Sequence, residues 1–228
     1  MREIILDTET TGLDPATGDR LVEIACVEVL NYIPTGDFYH TYLDPERDVP
    51  EGAFNVHGLS TEFLKGKPLF RDVASDFIAF IGDSRLVIHN AEFDMKFLNA
   101  EFKRAGLPLL PPDRAFDTLT YARRKHPGAA NSLDALCARY KIDNSRRTKH
   151  GALMDSEILA EVYAELMGGR QATLVLASEA AIRQKAEISV RRDRPAPLAS
   201  LLDDEEAQAH GQFLATLGEK AIWRDYLK

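Results

Sequence analysis

Two carboxylates stand two residues apart at the end of the first extended segment of the chain. Asp7 and Glu9 follow the apolar run at residues 2–6, and the two-residue period of a β-strand predicts that both side chains lie on one face. Neighbouring like charges are unfavourable in a fold unless cations bind them. The turn that follows contains Gly12, and glycine lets a ligand approach the backbone closely. Solvated acids at a strand end would show the same pair.

Two later segments each add a carboxylate, and the second also adds a histidine. Asp94 ends the string His-Asn-Ala-Glu-Phe-Asp, in the first turn of a predicted helix, where an acid commonly complements the helix dipole. His150 and Asp155 are separated by Gly-Ala-Leu-Met. On one continuous helix their side chains would diverge by about 140°. We therefore predict that His150 lies on the loop before the helix and folds back over Asp155.

Together these segments supply carboxylate oxygens and one histidine, a donor set that suits Mg²⁺ or Mn²⁺. Zinc would favour more histidine or cysteine. Two such ions about 4 Å apart can hold the attacking and leaving oxygens of a phosphodiester displacement, and one of them lowers the pKa of the attacking water. A histidine that titrates near neutrality can accept the proton of that water. The pattern favours metal-dependent cleavage of phosphodiesters.

The elements that must position these residues are predicted from hydrophobic periodicity. Antiparallel extended segments open the chain and strand-helix alternation follows, which indicates an α/β fold with a mixed sheet flanked by helices. Strands are predicted at residues 2–7, 20–30, 38–43, 86–88 and 115–117, and helices at 71–81, 92–105, 132–140 and 152–167.

Composition is that of a globular protein, with 45% hydrophobic and 28% charged residues. Cys26 and Cys137 lie in apolar periodic segments, which predicts buried, reduced and inert thiols. No apolar run approaches the roughly 20 residues of a membrane span, and the chain enters its first strand without a signal peptide. We therefore expect a cytoplasmic protein.

The charge of the chain is unusual for a protein that binds nucleic acid. Its formal net charge is −8, and residues 1–170 carry 20 basic against 27 acidic side chains. Neutralisation of phosphates by Lys and Arg supplies most non-specific affinity for nucleic acid. Either nucleic acid is not the ligand, or metal ions bridge an acidic pocket to phosphate while a partner supplies the missing affinity.

Three strings, Asp-Thr-Glu-Thr-Thr-Gly, His-Asn-Ala-Glu-Phe-Asp and His-x4-Asp, occur in this order between residues 7 and 155. They resemble the three exonuclease motifs of the DEDDh family of 3'→5' exonucleases, over about residues 2–170. The resemblance implies a ribonuclease H-like five-stranded sheet, two divalent ions and release of nucleoside 5'-monophosphates. It also implies that His150 is the general base and that four residues ligate the metals: Asp7, Glu9, Asp94 and Asp155.

Within that family the chain resembles the proofreading branch, the epsilon subunits of bacterial DNA polymerase III, because Asn-Val-His-Gly-Leu at 55–59 matches their substrate-side motif. These subunits often carry a glutamate five residues before that histidine, where this chain has Gly52 next to Glu51, so this contact stays unassigned. His57 could instead be a satisfied loop histidine. The basic run at 146–149 could meet phosphate or be a solvated loop. The substrate contacts that the resemblance implies are Asp7, Glu9, His57 and Asp155.

The C-terminal region differs in composition and hydrophobic pattern from the rest of the chain. Residues 191–206 combine proline with blocks of like charge, which is typical of a flexible linker. The segment Gln171-Ala-Thr-Leu174-Val-Leu176 resembles the peptide that bacterial sliding clamps bind, with Gln171 as anchor and Leu174 and Leu176 as apolar contacts. Residues 213–227 resemble the epsilon region that docks on the polymerase catalytic (alpha) subunit, although a helix packed on its own domain is also compatible.

We therefore predict three regions: an exonuclease domain at 1–170, a clamp-binding peptide and flexible linker at 171–206, and a polymerase-docking segment at 207–228. Two other functions stay open. An RNA-processing exonuclease, ribonuclease T-like or oligoribonuclease-like, would use the same chemistry, but the clamp-like peptide and the tryptophan-bearing tail favour replication. A non-catalytic adaptor between clamp and polymerase would not need the complete set of five site residues.

Overall fold

The computed structural model describes residues 1–145, 147, 149–168 and 203–217. The chain divides into two compact units, Met1–Ala172 and Thr173–Lys228. Among the described residues, no helix is both long and apolar enough to cross a membrane.

A five-stranded mixed sheet forms the centre of the first unit, which confirms the predicted architecture. The strand order is β3-β2-β1-β4-β5. Strand β1 pairs antiparallel with β2 and parallel with β4, so its backbone groups are bonded on both sides. The strands are β1 (Arg2–Thr10), β2 (Leu21–Leu30), β3 (Ile33–Tyr42), β4 (Arg85–Ile88) and β5 (Ala115–Asp117).

Strand β3 begins at Ile33 rather than at the predicted residue 38. Asn31 and Tyr32 both have positive φ, 52° and 69°, and form a tight turn that pairs Leu30 with Ile33. A two-residue turn of this kind matches the twist of a hairpin. Because β3 is an edge strand, a proline in it need not break the ladder. Pro34 therefore lies within β3, although the sequence pattern assigned the residues just before 38 to a turn.

Seven helices are described in the first unit. Four follow the predicted periodicity. The two that precede residue 70 were missed, since each is too short to show a helical repeat, and the helix at Thr118–Lys125 was not predicted as a separate segment. Ser60 caps the second of them by accepting a hydrogen bond from the Phe63 N–H at 3.1 Å. The helices are α1 (Glu51–His57), α2 (Thr61–Leu64), α3 (Phe70–Ile81), α4 (Ala91–Arg104), α5 (Thr118–Lys125), α6 (Leu133–Tyr140) and α7 (Ala152–Leu166).

Alternation along β1 separates the two layers of the core. Ile4 and Leu6 pack into a cluster that contains side chains of α3 and α4. Ile5 packs on the opposite face with Tyr163 and other side chains of α7. The same alternation places the odd-numbered residues Asp7 and Glu9 on the α7 face.

Both cysteines are buried and unpaired, as predicted. Burial raises the pKa of the Cys26 and Cys137 thiols, which keeps them protonated and unreactive near neutral pH.

In the second unit, residues 203–217 contain one helix, α8 (Asp204–Thr216). It begins just before the predicted boundary at 207, because Asp203 and Glu206 form a capping box. Within this helix Leu214 is buried and Phe213 is exposed. The predicted clamp peptide, Gln171 to Leu176, and residues 218–228 lie outside the described residues.

Candidate active site

The carboxyl ends of two parallel strands bring the first two motifs together. Strand β1 ends with Asp7 and Glu9, and the neighbouring β4 leads through His89 and Asn90 into α4. Asp94 lies in the first turn of α4, as predicted, and is buried. The Thr8 hydroxyl donates to Asp94 Oδ1 at 2.7 Å. This hydrogen bond fixes the Asp94 carboxylate against the end of β1.

A buried glutamate that the sequence analysis did not single out positions the third motif. Glu23 lies on β2 directly opposite Glu9. Its Oε2 accepts a hydrogen bond from the backbone N–H of Ala152, the first residue of α7, at 3.1 Å, and its Oε1 lies 2.7 Å from His40 Nε2. Glu23 therefore anchors the start of the helix that carries Asp155. The only local signal was that Glu23 is one of two acids in a mostly apolar strand, which does not show what it contacts.

His150 lies on the loop before α7, as predicted from its spacing. Its Nδ1 is 3.1 Å from Asp155 Oδ2, so the ring does fold back over the acid. A hydrogen bond attaches this loop to α1, since the His150 N–H donates to the Val56 carbonyl at 3.2 Å. Single ligand atoms from Glu9, His150 and Asp155 all lie within 4.8 Å of one another.

All five predicted catalytic residues line one open cleft of about 790 Å³. Other side chains line the same cleft, some from the second motif string and some from α5 and the loop before α6. These include His89, Asn90, Phe93, Leu119, Arg123 and Asn131.

The electrostatics of this cleft oppose the ionisation of its carboxyl groups. Burial, followed by repulsion from Asp94, raises the pKa of Asp7 well above its usual range. Burial and the facing Glu23 raise the pKa of Glu9 to about 8. Burial also raises the pKa of Asp94 to about 7. Bound cations would reverse these shifts, since they favour the charged form of each carboxylate.

The donor set therefore fits hard divalent cations. Such ions bind carboxylate oxygens that converge in a cleft. They also stabilise the charged form of carboxyl groups whose pKa values are raised. The arrangement identifies a candidate metal centre at Glu9, His150 and Asp155, with Asp7 and Asp94 in the same cleft.

Arg147 differs from the solvated loop residue that was one expectation for the basic run. Its side chain is only 8% exposed, and Nε lies 2.5 Å from Asp155 Oδ1. Burial lowers its pKa, but pairing with Asp155 and Asp134 outweighs this and leaves the pKa raised. Lys149 lies over the ring of Phe54, 4.8 Å from its centroid. Both described cations of this run are thus engaged within the protein.

His57 is the last residue of α1 rather than a loop residue, and it is 6% exposed. Its Nδ1 accepts a hydrogen bond from the Leu59 N–H at 3.0 Å. Burial lowers its pKa, which favours a neutral ring. Like Gly52 and Glu51, His57 is not among the residues that line the cleft, and the contact of the absent glutamate stays unassigned.

Gly12 also makes room for a side chain of its own loop. A Cβ atom at this position would lie 2.2 Å from Asp19 Oδ2. Asp19 in turn accepts hydrogen bonds from the Asp14 N–H at 3.1 Å and from Thr11. A larger residue at position 12 would have to displace the Asp19 carboxylate from these bonds.

Comparison with known proteins identifies the chain's relatives. A family model described as an exonuclease matches residues 4–163, a range that contains all five site residues. The DNA polymerase III subunit epsilon of Rickettsia felis is 49% identical over 222 residues, with 95% of this chain and 97% of that protein covered. The same subunit of Escherichia coli K12 is 44% identical over 238 residues, with 98% and 97% covered.

Solved structures agree in fold. Exonuclease X, in complex with 5' overhanging duplex DNA, gives a TM-score of 0.56 at 29% identity and covers 72% of this chain and 90% of its own. The nuclease domain of 3'hExo, a DEDDh family member bound to rAMP, gives a TM-score of 0.63 at 19% identity and covers 73% and 91%. The second likeness shows the shared fold. Motifs, fold and relatives together show that this chain belongs to the DEDDh exonuclease family, among proteins similar to the epsilon subunit of DNA polymerase III.

Proposed function

We propose that the chain is the proofreading 3'→5' exodeoxyribonuclease of a replicative DNA polymerase and releases nucleoside 5'-monophosphates. The observation that carries this proposal is the convergence of all five motif residues in one cleft. The epsilon relatives, which match over nearly their whole length, support the replicative role. That role also supports a place in the cytoplasm with the replication machinery.

We infer that two Mg²⁺ or Mn²⁺ ions bind in this cleft. Asp7, Glu9, Asp94 and Asp155 would hold them, with Thr8 fixing the Asp94 carboxylate. When bound, such ions stabilise the charge that develops on the reacting oxygens and lower the pKa of the attacking water.

His150 is suited to the role of general base. Its side chain is 51% exposed, so a water molecule can reach the ring beside Asp155. Removing a proton from the attacking water by a positioned base contributes roughly 10²–10⁴-fold to a rate.

His57 is suited to contact the terminal nucleotide. Because Nδ1 accepts the Leu59 N–H, the neutral ring carries its proton on Nε2. That nitrogen is buried beside the backbone of Thr10 and makes no hydrogen bond of normal geometry among the described residues. A local movement that exposes this nitrogen would give His57 a donor for the substrate, to which Asp7, Glu9 and Asp155 would offer oxygens through the metals.

A degradation assay tests the enzymatic part of the proposal. Purified chain is incubated with single-stranded DNA and RNA of equal sequence, labelled near the 3' end, in Mg²⁺, Mn²⁺ or EDTA. We expect 3'-directed release of deoxynucleoside 5'-monophosphates in either metal and none in EDTA, and Asp7→Ala serves as the matched inactive control. Activity that persists in excess EDTA would contradict metal-dependent hydrolysis, and a strong preference for RNA would support the exoribonuclease alternative.

We further propose that partners supply the affinity for DNA. Residues 1–170 carry 20 basic against 27 acidic side chains, so the domain alone has little electrostatic attraction to phosphate. Docking of Gln171, Leu174 and Leu176 on a sliding clamp, and of residues 207–228 on the polymerase alpha subunit, would raise the effective concentration of the active site at the primer end.

Two separate variants test the two contacts. Deletion of residues 207–228 is expected to abolish co-purification with the alpha subunit while hydrolysis of short single strands continues. Replacement of Gln171, Leu174 and Leu176 by alanine is expected to weaken clamp binding only. Retention of the alpha subunit by the truncated chain would show that the docking element lies elsewhere.

A further inference from the structure

Arg147 occupies the centre of a small network at the edge of the cleft. Its guanidinium holds Asp155 with two parallel hydrogen bonds, from Nε to Oδ1 at 2.5 Å and from Nη2 to Oδ2 at 2.8 Å. A third nitrogen, Nη1, donates to Asp134 Oδ1 at 2.7 Å. Forked pairs of this kind are among the strongest hydrogen bonds in proteins.

The two oxygens that Arg147 holds are also those through which Asp155 would bind a divalent cation. An ionised carboxylate has about four lone-pair positions, and the forked pair uses the one on each oxygen that a metal chelated by both oxygens would also need. The guanidinium and a metal ion thus compete for the same face of Asp155. The positive charge of Arg147 lowers the pKa of Glu9. A bound metal ion would act on Glu9 in the same direction.

The same guanidinium engages His150. Its Nη2 lies 2.7 Å from His150 Nδ1. Because arginine can only donate, Nδ1 must accept, and a neutral ring then carries its proton on Nε2. In this arrangement the lone pair that faces the carboxylates is occupied. Withdrawal of Arg147 would therefore free Asp155 and His150 in one movement.

Asp134 offers Arg147 a place to remain after such a withdrawal. It lies in the first turn of α6, its side chain is 61% exposed, and Asn144 also donates to its Oδ1 at 3.0 Å. A guanidinium that releases Asp155 can keep this bond at the rim of the cleft.

We propose that Arg147 is an exchangeable internal counter-ion, which binds Asp155 and His150 in alternation with a divalent cation. It is a positioning residue, since it acts through these two side chains. The inference rests on the proposed role of Asp155 as a metal ligand. Metal binding then includes the displacement of Arg147, and the strength of the Arg147 pair limits the affinity of the site for metal.

The test compares three variants of the full chain. Arg147→Met removes the charge and both forked bonds, whereas Arg147→Lys keeps a charge that cannot hold both oxygens. Arg123→Met is the matched control, because Arg123 lines the same cleft and makes no hydrogen bond to a carboxylate in the described part of the chain. Mn²⁺ affinity is measured from the paramagnetic resonance signal of the free ion, and unfolding temperatures are measured in EDTA and in Mn²⁺.

We expect Arg147→Met to bind Mn²⁺ at least about fivefold more tightly than the wild type, because the competing partner is gone. Arg147→Lys should lie between the two, and Arg123→Met within about twofold of the wild type. In EDTA, Arg147→Met should unfold at a lower temperature by about 4 °C, and Mn²⁺ should close that gap. If Arg147→Met does not fold in EDTA, Arg147→Lys decides on Mn²⁺ affinity alone.

Equal Mn²⁺ affinity in the wild type and in the Arg147 variants would overturn the inference and leave the proposed function intact. An equal gain in Arg123→Met would also overturn it, since general charge removal would then explain the effect. If neither wild type nor any variant binds Mn²⁺, the proposed metal site itself fails. As a separate readout, the ¹⁵N shifts of labelled His150 should report a change of tautomer when Mg²⁺ is added to the wild type. No such change in the wild type would contradict the displacement.

Discussion

Two sets of buried carboxylates in this protein differ in the number of cations that contact them. The first, called the rear group below, is the single residue Glu101 on α4, which is 2% exposed. Arg20 holds it with bonds of 2.6 and 3.1 Å, and Arg104 adds another of 2.9 Å. The fold thus provides Glu101 with permanent cations from its own chain, as buried charges require.

The site group consists of Asp7, Glu9, Asp94 and Asp155. Only one guanidinium, that of Arg147, contacts it among the described residues, and the pKa values of Asp7, Glu9 and Asp94 are all raised. The Glu101 carboxylate is thus matched by fixed cations, whereas the carboxylates proposed to bind metal are left short of positive charge. The missing charge must come from exchangeable ions.

The largest effect should follow from a change in the site group. We expect Asp155→Ala to reduce the rate of hydrolysis by on the order of 10³-fold or more. The variant should still fold but with reduced stability, because it leaves the Arg147 guanidinium without its forked partner, and relief of repulsion within the group offsets only part of that loss. Single-turnover kinetics on single-stranded DNA and circular dichroism provide the two readouts. Near-normal turnover would remove Asp155 from the set.

A smaller loss is expected at the histidine. His150→Ala should slow hydrolysis by roughly 10²-fold near neutral pH, and by less as the pH rises, because hydroxide then partly replaces the base. The ratio of wild-type to variant rates across a pH series tests this. A ratio independent of pH would indicate that His150 has a structural role.

The rear group should give the reverse result. Glu101→Gln leaves Arg20 without its buried counter-charge and should lower the free energy of unfolding by about 2 kcal/mol, with partial exposure of the arginines limiting the loss. The turnover number, measured where the variant is folded, should stay within about twofold of the wild type. A large fall in turnover would show that the two groups are not separable.

The smallest effect concerns pH and metal together. Groups whose folded pKa is raised stabilise the fold at low pH, and this stabilisation is lost as the pH rises through the folded pKa. In EDTA, the unfolding temperature should therefore fall by a few degrees as the pH rises from about 4.5 to about 8, the range between the usual and the raised pKa of Glu9. Mg²⁺ should flatten the curve, as should Glu9→Gln. A flat curve for wild type in EDTA would contradict the raised pKa values.

Much of the sheet and of the metal cluster could be predicted because local periodicity determines them. The two-residue period placed Asp7 and Glu9 on one face, and the five-residue spacing placed His150 on a loop. The resemblance to known motifs then connected segments that are far apart in the chain. Each of these predictions depends on residues close in sequence or on whole motifs.

What could not be predicted depends on contacts between distant elements. Glu23 has its structural role because β2 pairs with β1 opposite Glu9 and because α7 begins beside it. No local sequence pattern shows that these three elements come together there. Arg147 lies in a loop with no periodicity, so its burial against Asp155 follows only from the packing of α6 and α7. Helix α1 was missed for a similar reason, since a seven-residue element shows less than two full repeats.

The distribution of the site along the chain affects when activity can arise during synthesis. Asp7 and Glu9 lie on the first strand, but Asp155 lies on α7, the last described helix of the first unit, which packs on β1 and β2. A ribosome that adds about 5–20 residues per second therefore exposes β1 for many seconds before α7 emerges. During that time the nascent chain has only part of the proposed metal-binding set, so we expect a partly made chain to be inactive on nucleic acid.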